Sequence, residues 1–232
     1  ALPIWAGVSC KIITMSKDAI GRLSCNPAVG GIAKGQLVRE MDVLGALMPR
    51  ATDATGVQFK LLNLSKGRSV WSPRAQVDKR QYERYIKNAL FGLSGLKIVE
   101  GEVVDFLLNK NKVSGVFLRD GETLFASSVV LTCGTFLSGL VHVGEKKTQA
   151  GRMGEHRAVG ITGSLASLGL RFGRLKTGTP PRLYGPSVNW EKTEAVFGDT
   201  NPAPFSYSTK NFSPPNLPCH KYSEFLAICG NR

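Results

Sequence analysis

The stretch SCNPAVGGIAKGQLVRE, residues 24–40, sets a cysteine, an Asn-Pro turn, a Gly-Gly pair and a third glycine ahead of an amphipathic run containing Leu37, Val38 and Met41. Glycines let a backbone approach a ligand closely and turn its N–H groups toward an anion; a helix starting near Ile32 adds the positive end of its dipole. The spacing is neither the dinucleotide fingerprint G-x-G-x-x-G nor the P-loop G-x-x-x-x-G-K-[ST]. It predicts either a ligand-binding loop or a tight strand-to-helix connection.

Immediately upstream, KIITM at 11–15 is β-branched and apolar, which predicts a buried parallel strand, with residues 16–23 as the loop after its carboxyl end. Ligands bind at such loops in open α/β sheets. Downstream, residues 51–72 are weakly periodic, with VQFKLLN as the clearest ordered piece. There Asn63, Ser65, Lys66, Gly67, Arg68, Trp71, Ser72, Pro73, Arg74 and Gln76 interleave cations with an indole ring. Such a segment either lines a groove for a phosphate-bearing ligand or forms a solvated loop packed by Trp71.

A helix is predicted over 76–90, with Tyr82, Ile86, Ala89 and Leu90 on one face and Gly92 and Gly95 ending it. The runs LKIV at 96–99, EVVDFLL at 102–108, KVSGVFL at 112–118 and TLFA at 123–126 follow, joined by Asn-Lys-Asn-Lys and Asp120-Gly121 turns, and predict a β-meander. SSVVLTCGTFLSG, from residue 127, then reads as an apolar strand ending in the small-residue turn 132–135. This order of elements resembles the two-dinucleotide-binding-domain flavoproteins.

Residues 144–163 read as an exposed loop, 161–168 as a short helix ended by Gly169, and RFGRLKTGTPPRL at 171–183 as a basic strand end running into prolines. That run is either a phosphate or RNA contact or a domain exit. Beyond Tyr184 prolines recur too often for long helices, which predicts an irregular or small β-containing insertion.

Across 232 residues the net charge is +13, which favours a polyanionic partner such as nucleic acid, or a generally basic surface. No apolar run is long enough to span a membrane. The five cysteines form no C-x-x-C pair, so reduced thiols are expected, and the three histidines lack metal-ligand spacing.

Six stretches, SCNPAVGGIAKGQLVRE, MDVLGALM, VQFKLLNLSKGRSVWSPRAQVDKRQY, VVLTCGTFLSGLVHVG, AGRMGE and GRLKTGTPPRL, occur in that order between Lys11 and Leu183. Together they resemble the GidA/MnmG family. The resemblance implies an α/β, Rossmann-like flavoprotein fold with a meander at about 96–126. It also implies a cofactor domain over 1–183 and the start of an inserted, NAD-related domain over 184–232. Family members bind FAD, use NADH as reductant and methylenetetrahydrofolate as one-carbon donor. With the GTPase MnmE they modify C5 of the tRNA wobble uridine, installing an aminomethyl or carboxymethylaminomethyl group. They are homodimers with no membrane association, cytoplasmic in bacteria and mitochondrial in eukaryotes.

Residue by residue, the resemblance implies catalysis by Cys25, as a nucleophile toward C6 of uracil or a proton donor near the flavin. It implies cofactor contacts from Asn26, Pro27, Gly30, Gly31, Lys34, Gly35, Gly134, Thr135 and Ala158, and from the Val103 backbone at the adenine end of FAD. Arg74, Lys176 and Arg182 are the candidates for phosphate, flavin or RNA contact. Two departures stand out: Ala158 replaces a family serine, and the family's G-x-G-x-x-G turn and C-terminal helical domain are not in the sequence. The chain therefore reads as an internal piece of the enzyme, not expected to bind FAD tightly or to act alone. Two other readings stay open: a folate- and FAD-dependent tRNA methyltransferase or other flavin oxidoreductase, and a non-catalytic basic RNA-binding module.

Overall fold

The computed structural model describes residues 2–178, 183–222 and 226–228. In chain order the elements are α1 (Leu2–Trp5), β1 (Cys10–Thr14), β2 (Ala28–Gly30), α2 (Lys34–Val43), α3 (Leu47–Thr55), β3 (Gly56–Leu62), β4 (Ser72–Val77), α4 (Lys79–Phe91) and β5 (Leu96–Glu100). They continue with β6 (Val103–Asn109), β7 (Lys112–Leu118), β8 (Thr123–Phe125), β9 (Val141–Val143), β10 (Lys146–Thr148), α5 (Ile161–Ser167), β11 (Glu194–Val196), β12 (Cys219–Tyr222) and β13 (Leu226–Ile228). The chain divides into two compact units, one drawn from Ala1–Cys10, Ala19–Leu96 and Thr177–Arg232, the other from Lys11–Asp18 and Lys97–Lys176.

The first unit is built on an antiparallel sheet of order β2-β4-β3. Its register sets Val29, Ala75 and Phe59 side by side, and all three are buried in the core with Val38, Ala51, Val77, Tyr82 and Phe205. The next register row, Gly30, Arg74 and Lys60, falls on the opposite face, because side chains alternate along a strand. Two of these elements were not legible as such. Helix α3 carries Pro49, which fits because an N–H in the first turn of a helix has no intrahelical bond to lose, and its buried Thr52 and Thr55 hydroxyls donate to Met48 O at 2.7 Å and Ala51 O at 2.6 Å. Strand β4 runs through Pro73 where a loop was expected.

A proline in a central strand normally breaks a ladder bond. Here Pro73 O accepts from Gly31 N at 2.9 Å, just past the end of β2, and on the other side Leu61 N turns outward to Asp199 Oδ2 at 2.7 Å. The missing N–H thus points beyond the last residue of β2. Helix α4 starts at Lys79, not Gln76, because Asp78 caps it by accepting from Arg80 N and Gln81 N, both at 2.9 Å. Its buried face carries Tyr82 and Leu90, as the periodicity predicts.

The proline-rich stretch after Tyr184 packs closely in this unit. Phe205 is 1% exposed against Phe59, and Gln58 Nε2 donates to Val196 O and Leu217 O, each at 2.9 Å. Asp199 N and Leu217 N donate to Phe59 O and Val57 O along the outer edge of β3. Burying one phenylalanine contributes about 2 kcal/mol, which is how a segment with little regular structure is held.

The second unit holds the antiparallel β6-β7-β8 meander, cored by Val116, Leu118 and Leu124 with Ile13, Val99, Val103, Phe106 and Val129 packed against them. Lys110 and Gly121, both at positive φ, supply the left-handed turn positions that the Asn-Lys-Asn-Lys and Asp-Gly sequences predict. Residues 96–100 do not join the meander; they pair with β1. The apolar run 128–133 is not a strand: Val130 is 82% exposed and, among the described residues, no strand pairs with it. At the start of the expected loop 144–163, β9 and β10 form a hairpin around Gly144, and α5 starts at Ile161 as predicted.

Candidate functional site

In the first unit the glycine-rich segment is a short strand and a turn. Cys25 is exposed in a bend ahead of β2, which separates it from the start of α2, so it is not a helix-entry thiol. Asn26 O accepts from Ala28 N at 2.8 Å and Pro27 O from Val77 N at 2.8 Å, which fixes the approach to β2. Within the amphipathic run, Val38 is buried while Leu37 is 56% exposed.

The three glycines differ in kind. A Cβ on Gly30 would stand 2.1 Å from Pro73 O, and one on Gly35 2.5 Å from the same oxygen. Both are needed so that α2 and β2 can close on Pro73. Gly31, with φ 95°, has nothing within 4 Å of its would-be Cβ, so it alone faces open space. Ala33, the N-cap of α2, takes φ 62° and has no side-chain cap bond. That is a strained conformation for a residue with a Cβ.

Beside this turn, Lys34 Nζ donates to Ala28 O at 3.4 Å, and burial of the ammonium, then repulsion from Arg74, holds its pKa below the usual lysine range. Lys34 lies at the surface, with its ammonium folded back against Ala28 O. Lys60 is directly cross-strand from Arg74, so both side chains leave the same sheet face. Among the described residues no carboxylate pairs with Lys34, Lys60 or Arg74. The result is an open glycine turn with a cluster of cations suited to an anion. Lys60 and Pro73 were not singled out for these roles in sequence; only the strand register reveals them. Nearby, Arg68 lies over the Trp71 ring at 5.5 Å, and Gln36 Nε2 donates to Trp71 O at 3.0 Å.

In the second unit, Val103 opens β6 opposite Leu118. Gly134 has φ 58° and open space around it, and Thr135 Oγ1 donates to Gly151 O at 3.2 Å. Ala158 is buried and joins Leu137 in an isolated parallel bridge. Its N–H donates to Phe136 O at 3.0 Å and its C=O accepts from Ser138 N at 3.1 Å. Next to these, Arg119 forms a bidentate pair with Glu102, Nε to Oε2 at 2.6 Å and Nη2 to Oε1 at 2.8 Å. The Arg119 hydrogen bond is the main reason that the Glu102 carboxyl is held below its ordinary range. Lys176 is exposed outside any regular element, and Arg182 lies outside the described residues.

Cys10, Cys25 and Cys133 lie outside any disulfide, but Cys219 is disulfide-bonded, against the expectation of reduced thiols throughout. Among the described residues no group of His, Cys, Asp and Glu could hold a metal ion, and no helix is long and apolar enough to cross a membrane.

Comparison with known proteins agrees with this architecture. The model of the family described as glucose inhibited division protein A matches residues 5–225. The tRNA uridine 5-carboxymethylaminomethyl modification enzyme MnmG of Thermodesulfovibrio yellowstonii is 44% identical over 92% of this chain and 34% of its own length; that of Aliarcobacter butzleri is 46% identical over 92% and 35%. The crystal structure of Aquifex aeolicus GidA in form II superposes with a TM-score of 0.87 at 39% identity, covering 94% of this chain and 38% of that one. A GidA-related protein from Thermus thermophilus, at 24% identity and a TM-score of 0.50, shares the fold alone. The chain thus spans about a third of the length of the curated relatives it matches. With a family model running through both units and relatives matched over nine-tenths of its length, the chain belongs to the glucose-inhibited division protein A (GidA) family.

Proposed function

We propose that this chain carries part of the cofactor- and substrate-binding surface of an enzyme that modifies C5 of the wobble uridine in tRNA, installing an aminomethyl or carboxymethylaminomethyl group. The observation behind this is the 44% identity over 92% of the chain to an enzyme named for tRNA uridine 5-carboxymethylaminomethyl modification. The formal charge of +13 supports the same reading, since an RNA substrate presents a dense row of phosphates.

The residues present suit FAD in part. The open turn at Gly31 with Lys34 and Arg74 beside it fits an anionic group, and the open turn at Gly134 admits close backbone approach. Ala158 offers only a methyl group, because both of its backbone groups are already bonded. When bound, the flavin supplies the redox chemistry, with NADH as reductant and methylenetetrahydrofolate as one-carbon donor. Of the chain's own groups, Gly30, Gly31 and Gly35 shape the turn, Lys34 and Arg74 supply positive charge, and Asn26 and Pro27 fix the entry to β2. Cys25, an exposed residue, acts as nucleophile toward C6 of the uracil ring or as a proton donor near the flavin. Lys176 and Arg182 serve RNA phosphates. An MnmE-type GTPase and a second copy of the protein complete the assembly.

The test is modified-nucleoside mass spectrometry on tRNA from a strain lacking its own enzyme. The strain is complemented with the full reading frame that encodes this chain, intact or as Cys25→Ser. Return of the wobble modification with the intact gene and its loss with the variant is the expected result. Failure of the intact gene to restore it overturns the reading.

A further inference from the structure

Glu102 and Arg119 act together on a single residue's backbone. Glu102 Oε1 accepts from Val159 N at 2.8 Å while it also binds Arg119, and Arg119 Nη2 donates to Val159 O at 2.9 Å. One ion pair therefore takes both backbone groups of Val159, as a neighbouring strand would. The N–H of Val159 and the C=O of Ala158 belong to the same peptide plane, and that C=O accepts from Ser138 N at 3.1 Å. The plane is held at one end by the ion pair and at the other by the turn that follows Gly134 and Thr135.

The next residue is constrained too. Gly160 takes φ 114°, and a Cβ there would stand 3.0 Å from Val104 O. Glu102 itself immediately precedes Val103, and Arg119 N donates to Glu102 O at 2.9 Å, so the clamp is built into the first residues of the meander. Three separate stretches, around 103, 134–138 and 158–160, are thereby locked into one platform. The Glu102 side chain is 17% exposed, and charge-assisted bidentate pairs are the strong, directional kind.

We propose that Glu102 and Arg119 are positioning residues for an adenine-nucleotide subsite, holding the Ala158–Val159 peptide and the start of β6 in the geometry that receives the adenosine end of the cofactor. This rests on the reading of Val103 as a contact to the adenine end of FAD and of Ala158 as a cofactor contact. Neither charged side chain needs to touch the nucleotide. The role requires that the peptides on either side of Val159 not rotate: the Glu102 carboxylate holds the first through Val159 N–H, and the Arg119 guanidinium holds the second through Val159 O.

The experiment is isothermal titration of ADP and of FAD into the full-length protein of the reading frame that encodes this chain, as wild type, Glu102→Gln, Glu102→Ala, Arg119→Ala and the double alanine variant, with the melting temperature of each ligand-free protein measured in parallel. Losing a charge-assisted bond should raise Kd for ADP by about tenfold or more in either alanine variant. The double variant should lose little beyond either single one, because the two residues act as a unit. Glu102→Gln keeps an acceptor for Val159 N–H and should fall between, with a ligand-free melting temperature close to wild type. Wild-type binding with unchanged ADP affinity in the alanine variants would overturn the positioning role and leave the cofactor reading standing. A loss that merely tracks melting temperature across all variants would also overturn it. Absence of ADP and FAD binding in the full-length wild-type protein would remove the cofactor reading itself, and the positioning role with it.

Discussion

Pro73 O lies 2.1 Å from the point where a Cβ on Gly30 would sit, so the first glycine of the Gly-Gly pair is fixed by protein packing and not by a ligand. Gly30→Ala should cost roughly 2–5 kcal/mol, from overpacking together with φ 105°. Gly31→Ala meets open space and bears only the left-handed backbone penalty, about 1–2 kcal/mol. Urea denaturation of the two variants side by side would measure the gap. Equal losses would mean that the Pro73 contact does not constrain Gly30.

Arg74 repels the Lys34 ammonium, which burial already disfavours. Replacing Arg74 with Gln should raise the Lys34 pKa toward its ordinary value of 10.5. An NMR titration of the lysine side-chain resonances would follow it. An unmoved Lys34 would show that the two cations do not share a site.

Asp53 gathers three donors: Phe205 N on Oδ1 at 2.7 Å, and Ser206 N at 2.8 Å and Thr209 Oγ1 at 2.7 Å on Oδ2. Asp53→Asn leaves one oxygen for three donors and should destabilise the chain by about 1–3 kcal/mol. Burial raises the Asp53 carboxyl above its ordinary pKa despite these bonds. Its contribution to stability is therefore full below the ordinary carboxylate pKa and declines as pH rises through the raised value. Chemical denaturation of wild type and variant at several pH values would check both the loss and its sign.

Glu102 has the opposite sign. With its folded pKa held below 4.5 by Arg119, and further lowered by the Val159 N–H and the charge of His156, its contribution is present above 4.5 and is lost as pH falls through the lowered value. Glu102→Gln should flatten the acid limb of a stability profile between about pH 5 and pH 3. A limb as steep as that of the wild type would show that the pair does not stabilise the fold.

These contacts explain which parts of the molecule were legible in its sequence. The meander and α4 carry local signals, an Asp-Gly turn, a Lys110 at positive φ and alternating or helical apolar spacing, and each formed close to its predicted place. Pro73 concealed β4, because its tolerance depends on where β2 stops, a fact no local pattern contains. Pro49 and the threonines at 52 and 55 gave α3 the look of a loop. The run 128–133 has strand composition without a strand partner, and composition alone cannot supply a ladder. At the site, the glycines and Lys34 were visible as a motif, whereas Lys60 and the Glu102–Arg119 pair depend on cross-strand register and on contacts between residues 17 to 57 positions apart.

The stretch that follows Tyr184 has one more role. By pairing Asp199 and Leu217 with the outer side of β3, it occupies backbone groups that would otherwise template another chain. Protease nicking that released residues 196–217 would bare that edge together with the Phe59 ring, and should favour cross-β self-association of the remainder.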